Sequence, residues 1–199
     1  MHVFLLSLPD SRRRRLSAIG KIQQTGIPFE IVDGVEALKM HPEQLKCTQH
    51  ALTWMKPGEV GCYMGHMRCL QRMVDYGLPY AMVLEDDFCF ESNPSFPFHE
   101  LDANLPPHFH FIHLQRDIGI NSEYRQHGVE GCYWRVSPTP LGTVGYVIER
   151  SLAEYVLKNH ALCELPIDHM FSSLSSRGRF YQPLRPLVGI QFDLPSDTH

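Results

Sequence analysis

The chain opens with two short apolar runs that flank an amphipathic segment. Residues 3–8 and 29–32 are apolar runs of strand length, and residues 12–24 between them carry a helical pattern. The positions expected to face inward on that helix are Leu16, Ile19 and Ile22. Strand, helix and strand in this order begin a doubly wound, Rossmann-like α/β sheet.

A longer helical pattern follows the turn at Pro57. From residue 59 to residue 76, apolar side chains recur at helical spacing. The predicted buried stripe consists of Val60, Tyr63, Met64, Met67, Leu70 and Val74. His66 lies beside this stripe, so we expect it on the helix face, bonded to a neighbour. Gly61 and Gly65 allow the helix to approach another backbone or a ligand closely.

The rest of the pattern alternates short strands with helices and loops. Strands are predicted over residues 80–84, 109–114, 133–136, 143–148 and 180–182. A capping box predicts that Ser151 caps a helix, and Pro166 suits the first turn of the next helix. We expect a loop with short helical pieces over 35–55, a loop or lid over 116–131, and an irregular tail from about residue 183.

Length and composition indicate one globular domain over residues 1–199, with 43% hydrophobic and 20% charged residues. A net charge of −4 argues against a nucleic-acid partner. The sequence shows no membrane-spanning run and no signal-peptide pattern, and its six cysteines form no CxxC pair. We therefore expect a cytoplasmic protein with reduced thiols.

Three consecutive acids, Glu85, Asp86 and Asp87, follow the apolar run 80–84. Adjacent carboxylates repel one another unless a cation lies among them, and oxygen ligands suit Mg²⁺ or Mn²⁺. Ligands bind beyond the carboxyl ends of the strands in open α/β sheets, which is where these acids fall. The pattern is therefore consistent with a metal site, and equally with an exposed acidic turn that ends the strand.

Four arginines, Arg12 to Arg15, stand at the start of the first helix, where the helix dipole disfavours cations. This arrangement suggests a bound anion such as a phosphate. The alternative is a solvated basic patch that contacts an anionic membrane surface.

Four segments together resemble glycosyltransferase family 25, which includes the lipopolysaccharide and lipooligosaccharide galactosyltransferases of bacteria. They are the opening strand with its arginines, the GEVGCYMGH segment at 58–66, the LPYAMVLEDD segment at 78–87, and the GT strand with its PID helix between 142 and 168. The chain departs from the family pattern at Ser7, where asparagine is usual, at Gly65, where serine is usual, and at His169.

The resemblance implies a single GT-A-like domain that transfers a hexose, most simply galactose, from a UDP-sugar to a glycan acceptor with inversion. It implies Mn²⁺ or Mg²⁺ as cofactor, with Asp87 and Glu85 as the expected metal ligands. The residues expected to bind the donor are Leu8, Arg12, Arg15, Gly61, His66, Glu85, Asp86 and Thr143.

Inversion by direct displacement needs a base that takes a proton from the acceptor hydroxyl, and we expect Asp168 in that role. The alternative for Asp168 is a helix cap or first-turn acid. Two other functions stay open from sequence alone. One is a metal-dependent phosphohydrolase or nucleotidyltransferase, and the other is a degenerate domain that binds a nucleotide-sugar without turnover.

Overall fold

The computed structural model describes residues 1–115, 134–136 and 140–191, so the predicted lid over 116–131 lies outside the described residues. The strands are β1 (His2–Ser7), β2 (Phe29–Asp33), β3 (Tyr80–Glu85), β4 (Phe88–Phe90), β5 (Phe111–His113), β6 (Trp134–Val136), β7 (Gly145–Glu149), β8 (Phe180–Pro183) and β9 (Val188–Ile190). The α-helices are α1 (Arg12–Gln23), α2 (Pro57–Asp75), α3 (Arg150–Asn159) and α4 (Ile167–Leu174).

Seven strands form one mixed sheet in the order β2-β1-β3-β7-β5-β8-β6. β1 is parallel to β2 and β3, and β5 is parallel to β8. β7 runs antiparallel to β3 and β5, and β6 runs antiparallel to β8. Five of the seven strands therefore point the same way. This confirms the predicted α/β class with a mostly parallel, Rossmann-like sheet flanked by helices.

The prediction of an irregular tail from about residue 183 is wrong for Val188–Ile190, which form β9. β9 pairs antiparallel with β4 in a small second sheet, because Val188 and its neighbours complete hydrogen bonds that β4 would otherwise leave open. The pairing of β9 with β4 brings Gln191 back to the acidic turn. There the backbone amide of Gln191 donates to the backbone carbonyl oxygen of Asp87 at 2.7 Å. Residues 192–199 lie outside the described part of the chain.

Both faces of the main sheet are buried, which explains why its strands read as continuous apolar runs. In β3, Ala81 and Val83 face the layer that contains α2, α3 and α4. Met82 and Leu84 face the opposite layer, which contains α1 and several phenylalanines. Fully burying one such side chain contributes about 1.5–3 kcal/mol. The core therefore fixes the strand ends at which the candidate site forms.

The buried face of α2 is rotated relative to the predicted stripe. Met64, Met67 and Val74 are only partly buried, whereas His66, Cys69 and Met73 are fully enclosed. His66, expected on the helix face beside the stripe and bonded to a neighbour, does have bonded neighbours but is fully buried, at 0% exposure. Its position follows from the sheet, because polar side chains of β3 and β7 bond both of its ring nitrogens.

Two smaller expectations are also wrong. Leu16 is 69% exposed, and α1 instead buries Ala18 and Ile22 against the sheet. Ser151 does not cap α3, because Glu149 is the N-cap residue and accepts a 2.9 Å hydrogen bond from the Ser151 amide. Among the residues that the model covers, no helix combines the length and apolar character needed to cross a membrane.

Candidate active site

A cleft of about 950 Å³ opens at the carboxyl ends of β1 and β3. Ser7 and Glu85, the last residues of these two strands, lie in its wall. The lining also includes residues between Leu8 and Arg14, the loop over residues 34–39, the first turns of α2, the segment 142–144 and residues 190–191. Because ligands of open α/β sheets bind beyond the carboxyl strand ends, this cleft is the expected position for a ligand site.

Asp87 has a side-chain oxygen in the cleft whose hydrogen-bonding capacity is not satisfied. Its Oδ1 is buried and has no hydrogen-bond partner among the described residues. Burial, followed by the charges of Glu85 and Asp86, raises the pKa of Asp87 to about 7. A buried carboxylate oxygen that lacks a donor is stabilised by a cation. This orphaned oxygen therefore fits a metal-ligand role for Asp87.

Asp86 is held inside the protein by its neighbours. Its Oδ2 accepts a 2.6 Å hydrogen bond from the Ser7 hydroxyl, and its Oδ1 lies 3.2 Å from Arg14 Nε in an ion pair. The side chains of Asp86 and Arg14 are only 6% and 12% exposed. Asp86 thus positions Arg14 at the cleft wall, and contact of Asp86 itself with a sugar is limited by its burial.

Glu85 accepts two hydrogen bonds through one oxygen. Oε1 lies 2.5 Å from the Thr143 hydroxyl and 3.3 Å from His66 Nε2. His66 Nδ1 lies 3.0 Å from the Tyr146 hydroxyl, so both ring nitrogens of His66 have a polar partner. Burial acts to raise the pKa of Glu85, but the hydrogen bonds and charge of His66, with Thr143, hold it below its ordinary value. Glu85 is therefore an ionised, oriented carboxylate.

Thr143 is brought to Glu85 by a tightly held turn. Gly142 has φ of +84°, and a Cβ there would lie 2.0 Å from the Gln115 amide nitrogen. The Gln115 side chain donates to the Leu141 carbonyl oxygen at 2.9 Å and accepts from the Val144 amide at 3.1 Å. Gln115, two residues beyond the end of β5, thus fixes the position of the segment that contains Thr143.

Asp168 stands in the first turn of α4, beside this same turn. Its Oδ2 accepts a 3.0 Å hydrogen bond from the Gly142 amide, and its Oδ1 accepts from the His169 amide at 2.8 Å. The helix N-cap is Pro166, so Asp168 is not the capping residue. Asp168 is not among the residues that line the cleft, although its partner Gly142 is. Each of its carboxylate oxygens keeps a second lone pair and so retains the capacity to accept a proton.

The arginines at the start of α1 differ in whether they line the cleft. Arg14 lines the cleft, whereas Arg12 is exposed and is absent from the lining. Arg15 bonds the Ser7 carbonyl oxygen at 2.8 Å and Asp33 at 2.7 Å. The geometry therefore does not support Arg12 and Arg15 as donor ligands. The carboxylates of Asp33 and Asp86 offset the cations at the start of α1.

Leu8 and Gly61, both expected at the donor, do line the cleft. A Cβ on Gly61 would lie 2.3 Å from the Val35 carbonyl oxygen, so this glycine permits the close backbone approach that its spacing predicted. Carboxylates exceed cations in the described lining, with Asp10, Glu36, Glu85, Asp86 and Asp87 against Arg14 and Lys39. An anionic diphosphate bound here would therefore need an added cation.

A family model described as "Glycosyltransferase family 25 (LPS biosynthesis protein)" matches residues 1–171. The chain belongs to glycosyltransferase family 25. This membership confirms the family expected from the resemblance.

The relatives of the chain include a bacterial biosynthetic glycosyltransferase and a human protein described as inactive. The lacto-N-neotetraose biosynthesis glycosyltransferase LgtB of Neisseria meningitidis serogroup A is 26% identical over 207 residues, covering 99% of this chain and 68% of LgtB. The inactive glycosyltransferase 25 family member 3 of Homo sapiens is 29% identical over 104 residues, covering 46% of this chain. The chain spans 17% of the length of that human relative and 62% of a serogroup B LgtB.

Among solved structures, A197 from STIV is similar to the chain with a TM-score of 0.53 at 13% identity. The match covers 100% of this chain and 97% of A197, so the likeness extends over the whole fold.

Several site residues escaped the sequence interpretation. Gln115 gives no motif signal, because it acts on the distant segment 141–144. Ser7 and Tyr146 lie in segments that carry the family resemblance, but the sequence assigned neither of them a role in the site. Arg14 lay within the arginine cluster, and its side chain is singled out only by the ion pair with Asp86.

Proposed function

We propose that the chain is a UDP-sugar-dependent hexosyltransferase that moves galactose to a lipopolysaccharide or lipooligosaccharide glycan with inversion. The observation that carries this proposal is the buried, unpartnered Oδ1 of Asp87 in the cleft beyond β3. Family membership and the similarity to LgtB support transfer of a sugar to a lipooligosaccharide.

Asp87, with the Glu85 oxygen that does not face His66, would hold Mn²⁺ or Mg²⁺. When bound, the cation supplies positive charge against the developing charge of the diphosphate leaving group. His66 and Thr143 orient Glu85 for this role through the hydrogen bonds to its Oε1. These two residues thus act through Glu85, and Thr143 also lines the cleft.

Arg14 takes the place that the sequence interpretation gave to Arg12 and Arg15. Its guanidinium is anchored by Asp86 at the cleft wall, where it would bind the pyrophosphate. Leu8 and the loop over 34–39 offer an apolar and backbone surface for the nucleoside.

Asp168 is proposed as the base that removes the proton from the acceptor hydroxyl. An inverting displacement needs the base and the leaving phosphate on opposite sides of the reacting carbon, and Asp168 belongs to α4 rather than to the acidic turn. Its hydrogen bond to Gly142 also makes it a positioning residue for the turn that carries Thr143.

A second candidate is a domain that binds a UDP-sugar without turnover. The inactive human relative favours this candidate over a hydrolase. The experiment that separates the two is a thermal-shift scan of UDP-sugars with Mn²⁺ and with EDTA, followed by a transfer assay with the stabilising donor. A ligand at 100 times its Kd stabilises the folded state by about 2.7 kcal/mol. A shift without transfer to any glycan favours the binding domain.

We further propose that the enzyme acts at the cytoplasmic face of an anionic membrane. Arg12 and Arg13 are exposed on α1, and Leu16 beside them is 69% exposed, which suits an interfacial helix. Sedimentation with phosphatidylserine vesicles tests this. Replacing Arg12 and Arg13 with alanine should release the protein, and unchanged sedimentation would contradict the proposal.

A further inference from the structure

Three chemically different metal-ligating side chains converge at the floor of the cleft. Cys62 and His66 lie four residues apart on α2, so they share one helix face, and Glu85 ends β3 opposite them. The thiol, a ring nitrogen and a carboxylate oxygen of these residues all lie within 4.8 Å of one another. A sulfur, nitrogen and oxygen set is typical of a zinc site.

The geometry points to a zinc site formed by Cys62, His66 and Glu85, which shares Glu85 with the hard-cation site proposed at Asp87. With Zn–N and Zn–O bonds of about 2.0–2.1 Å, two ligands of a tetrahedron lie about 3.3 Å apart. His66 Nε2 and Glu85 Oε1 are 3.3 Å apart. The Cys62 sulfur lies within 4.8 Å of both atoms, so a side-chain rotation that brings it closer would complete three protein ligands and leave the fourth position open.

Charge and surroundings favour the same ion. A thiolate and a carboxylate neutralise Zn²⁺, which limits the desolvation cost where His66 is fully buried. Tyr146 lies 3.0 Å from His66 Nδ1, which is the outer partner that orients a zinc-bound histidine. Thr143 donates to the Glu85 oxygen in the same manner. A thiol ligand selects zinc over Mg²⁺ and Mn²⁺.

One consequence rests on the proposed function. Glu85 would be shared by both cations, so Zn²⁺ at Cys62 and His66 would oppose Mn²⁺-dependent binding of UDP. This opposition is reciprocal, because each ion would lower the affinity of the protein for the other.

The test uses Co²⁺ as a spectroscopic substitute for Zn²⁺ on the full chain after EDTA treatment and dialysis. We expect one equivalent of Co²⁺ to give tetrahedral visible bands and a thiolate-to-cobalt charge-transfer band, both removed by added Zn²⁺. Cys62→Ser should lose the charge-transfer band, and Cys89→Ser, which changes a thiol outside the cluster, should keep it. Tyr146→Phe should weaken Zn²⁺ binding about 10–100-fold.

Absence of the charge-transfer band in the wild type, or its persistence in Cys62→Ser, would overturn the proposal. If Cys62→Ser does not fold, alkylation of the wild type followed by peptide mass analysis replaces it, since Zn²⁺ should protect Cys62 and leave Cys89 reactive. Equal alkylation of Cys62 with and without Zn²⁺ would also overturn the site. Asp87→Asn should keep the cobalt spectrum, so loss of UDP binding in that variant reports on the proposed function alone.

Discussion

The Ser7 hydroxyl donates a 2.6 Å hydrogen bond to Asp86, and this bond joins the ends of two adjacent parallel strands at the cleft. Asp86 also pairs with Arg14, so one buried carboxylate links β1, β3 and α1. The consecutive acids Asp86 and Asp87 therefore have different roles. The first stabilises the fold and positions Arg14, and the second is left for a ligand.

The different roles of Asp86 and Asp87 predict that replacing each acid has a different effect on the stability of the protein. Asp86→Ala should lower the free energy of unfolding by about 3–5 kcal/mol, because it removes one partner of a largely buried ion pair with Arg14. Asp87→Asn, the matched control, removes a carboxylate that repels its neighbours, so it should not destabilise the protein. Urea unfolding measures both. Equal losses in the two variants would show that both acids are structural.

The raised pKa of Asp87 predicts how stability depends on pH in the presence of EDTA. The folded-state pKa of about 7 exceeds the ordinary value, so folding favours the protonated acid. The contribution is favourable below the unfolded pKa of about 4 and is lost as pH rises through about 7. The Tm of the wild type should fall relative to that of Asp87→Asn between pH 5 and pH 8. A constant Tm difference across this range would argue against the raised pKa.

The arginines at the start of α1 should differ in their contribution to UDP binding. Arg14→Gln should weaken UDP binding by about tenfold or more, because a charge-assisted hydrogen bond contributes about 1.5–3 kcal/mol. Arg12→Gln, an exposed neighbour outside the cleft lining, should leave the affinity unchanged. Calorimetry with UDP and Mn²⁺ compares them. Unchanged affinity in a folded Arg14→Gln variant would remove Arg14 from the donor site.

Two helical glycines provide a matched test of the cleft wall. Gly61→Ala would place a Cβ 2.3 Å from the Val35 carbonyl oxygen, so it should destabilise the protein and displace the loop over 34–39. Gly20→Ala on α1 meets nothing within 4 Å and should stabilise by about 0.5–1 kcal/mol. Thermal unfolding and UDP affinity report both effects. If Gly61→Ala retains wild-type Tm and affinity, the close approach is not required.

Asp168 is tested by separating proton transfer from positioning. Asp168→Asn keeps an oxygen that can accept the Gly142 amide, so a positioning role predicts near-normal kcat. A base role predicts that kcat falls about 10²–10⁴-fold while the KM for the donor and the Tm change little. Asp168→Ala, which removes both functions, should lower Tm as well. Near-normal kcat in Asp168→Asn would exclude it as the base.

The sequence predicted those parts of the fold that local patterns control. The opening strand-helix-strand unit, the acids at the end of β3 and the close approach at Gly61 all follow from periodicity or from a single residue type. Long-range partners set the rest. His66 is buried because Glu85 and Tyr146 of other strands bond its ring, and β9 forms because β4 offers an open edge.

The sequence predicted the acids of the candidate site, but it did not predict that they have different roles. Three identical charges in a row give no local reason to distinguish Asp86 from Asp87. The distinction comes from Ser7 and Arg14, which reach Asp86 from other elements. In the same way, Glu149 replaces Ser151 as the cap of α3 because the helix begins two residues earlier than the capping box indicates.

The most direct measurement is the mass change of a galactose-deficient lipooligosaccharide incubated with the protein and UDP-galactose. We predict that the acceptor gains one hexose in the presence of Mn²⁺, and gains none with EDTA or with Asp87→Asn. Transfer by Asp87→Asn at the wild-type rate, or binding of UDP-galactose with no hexose added to any acceptor, would contradict a metal-dependent transferase centred on Asp87.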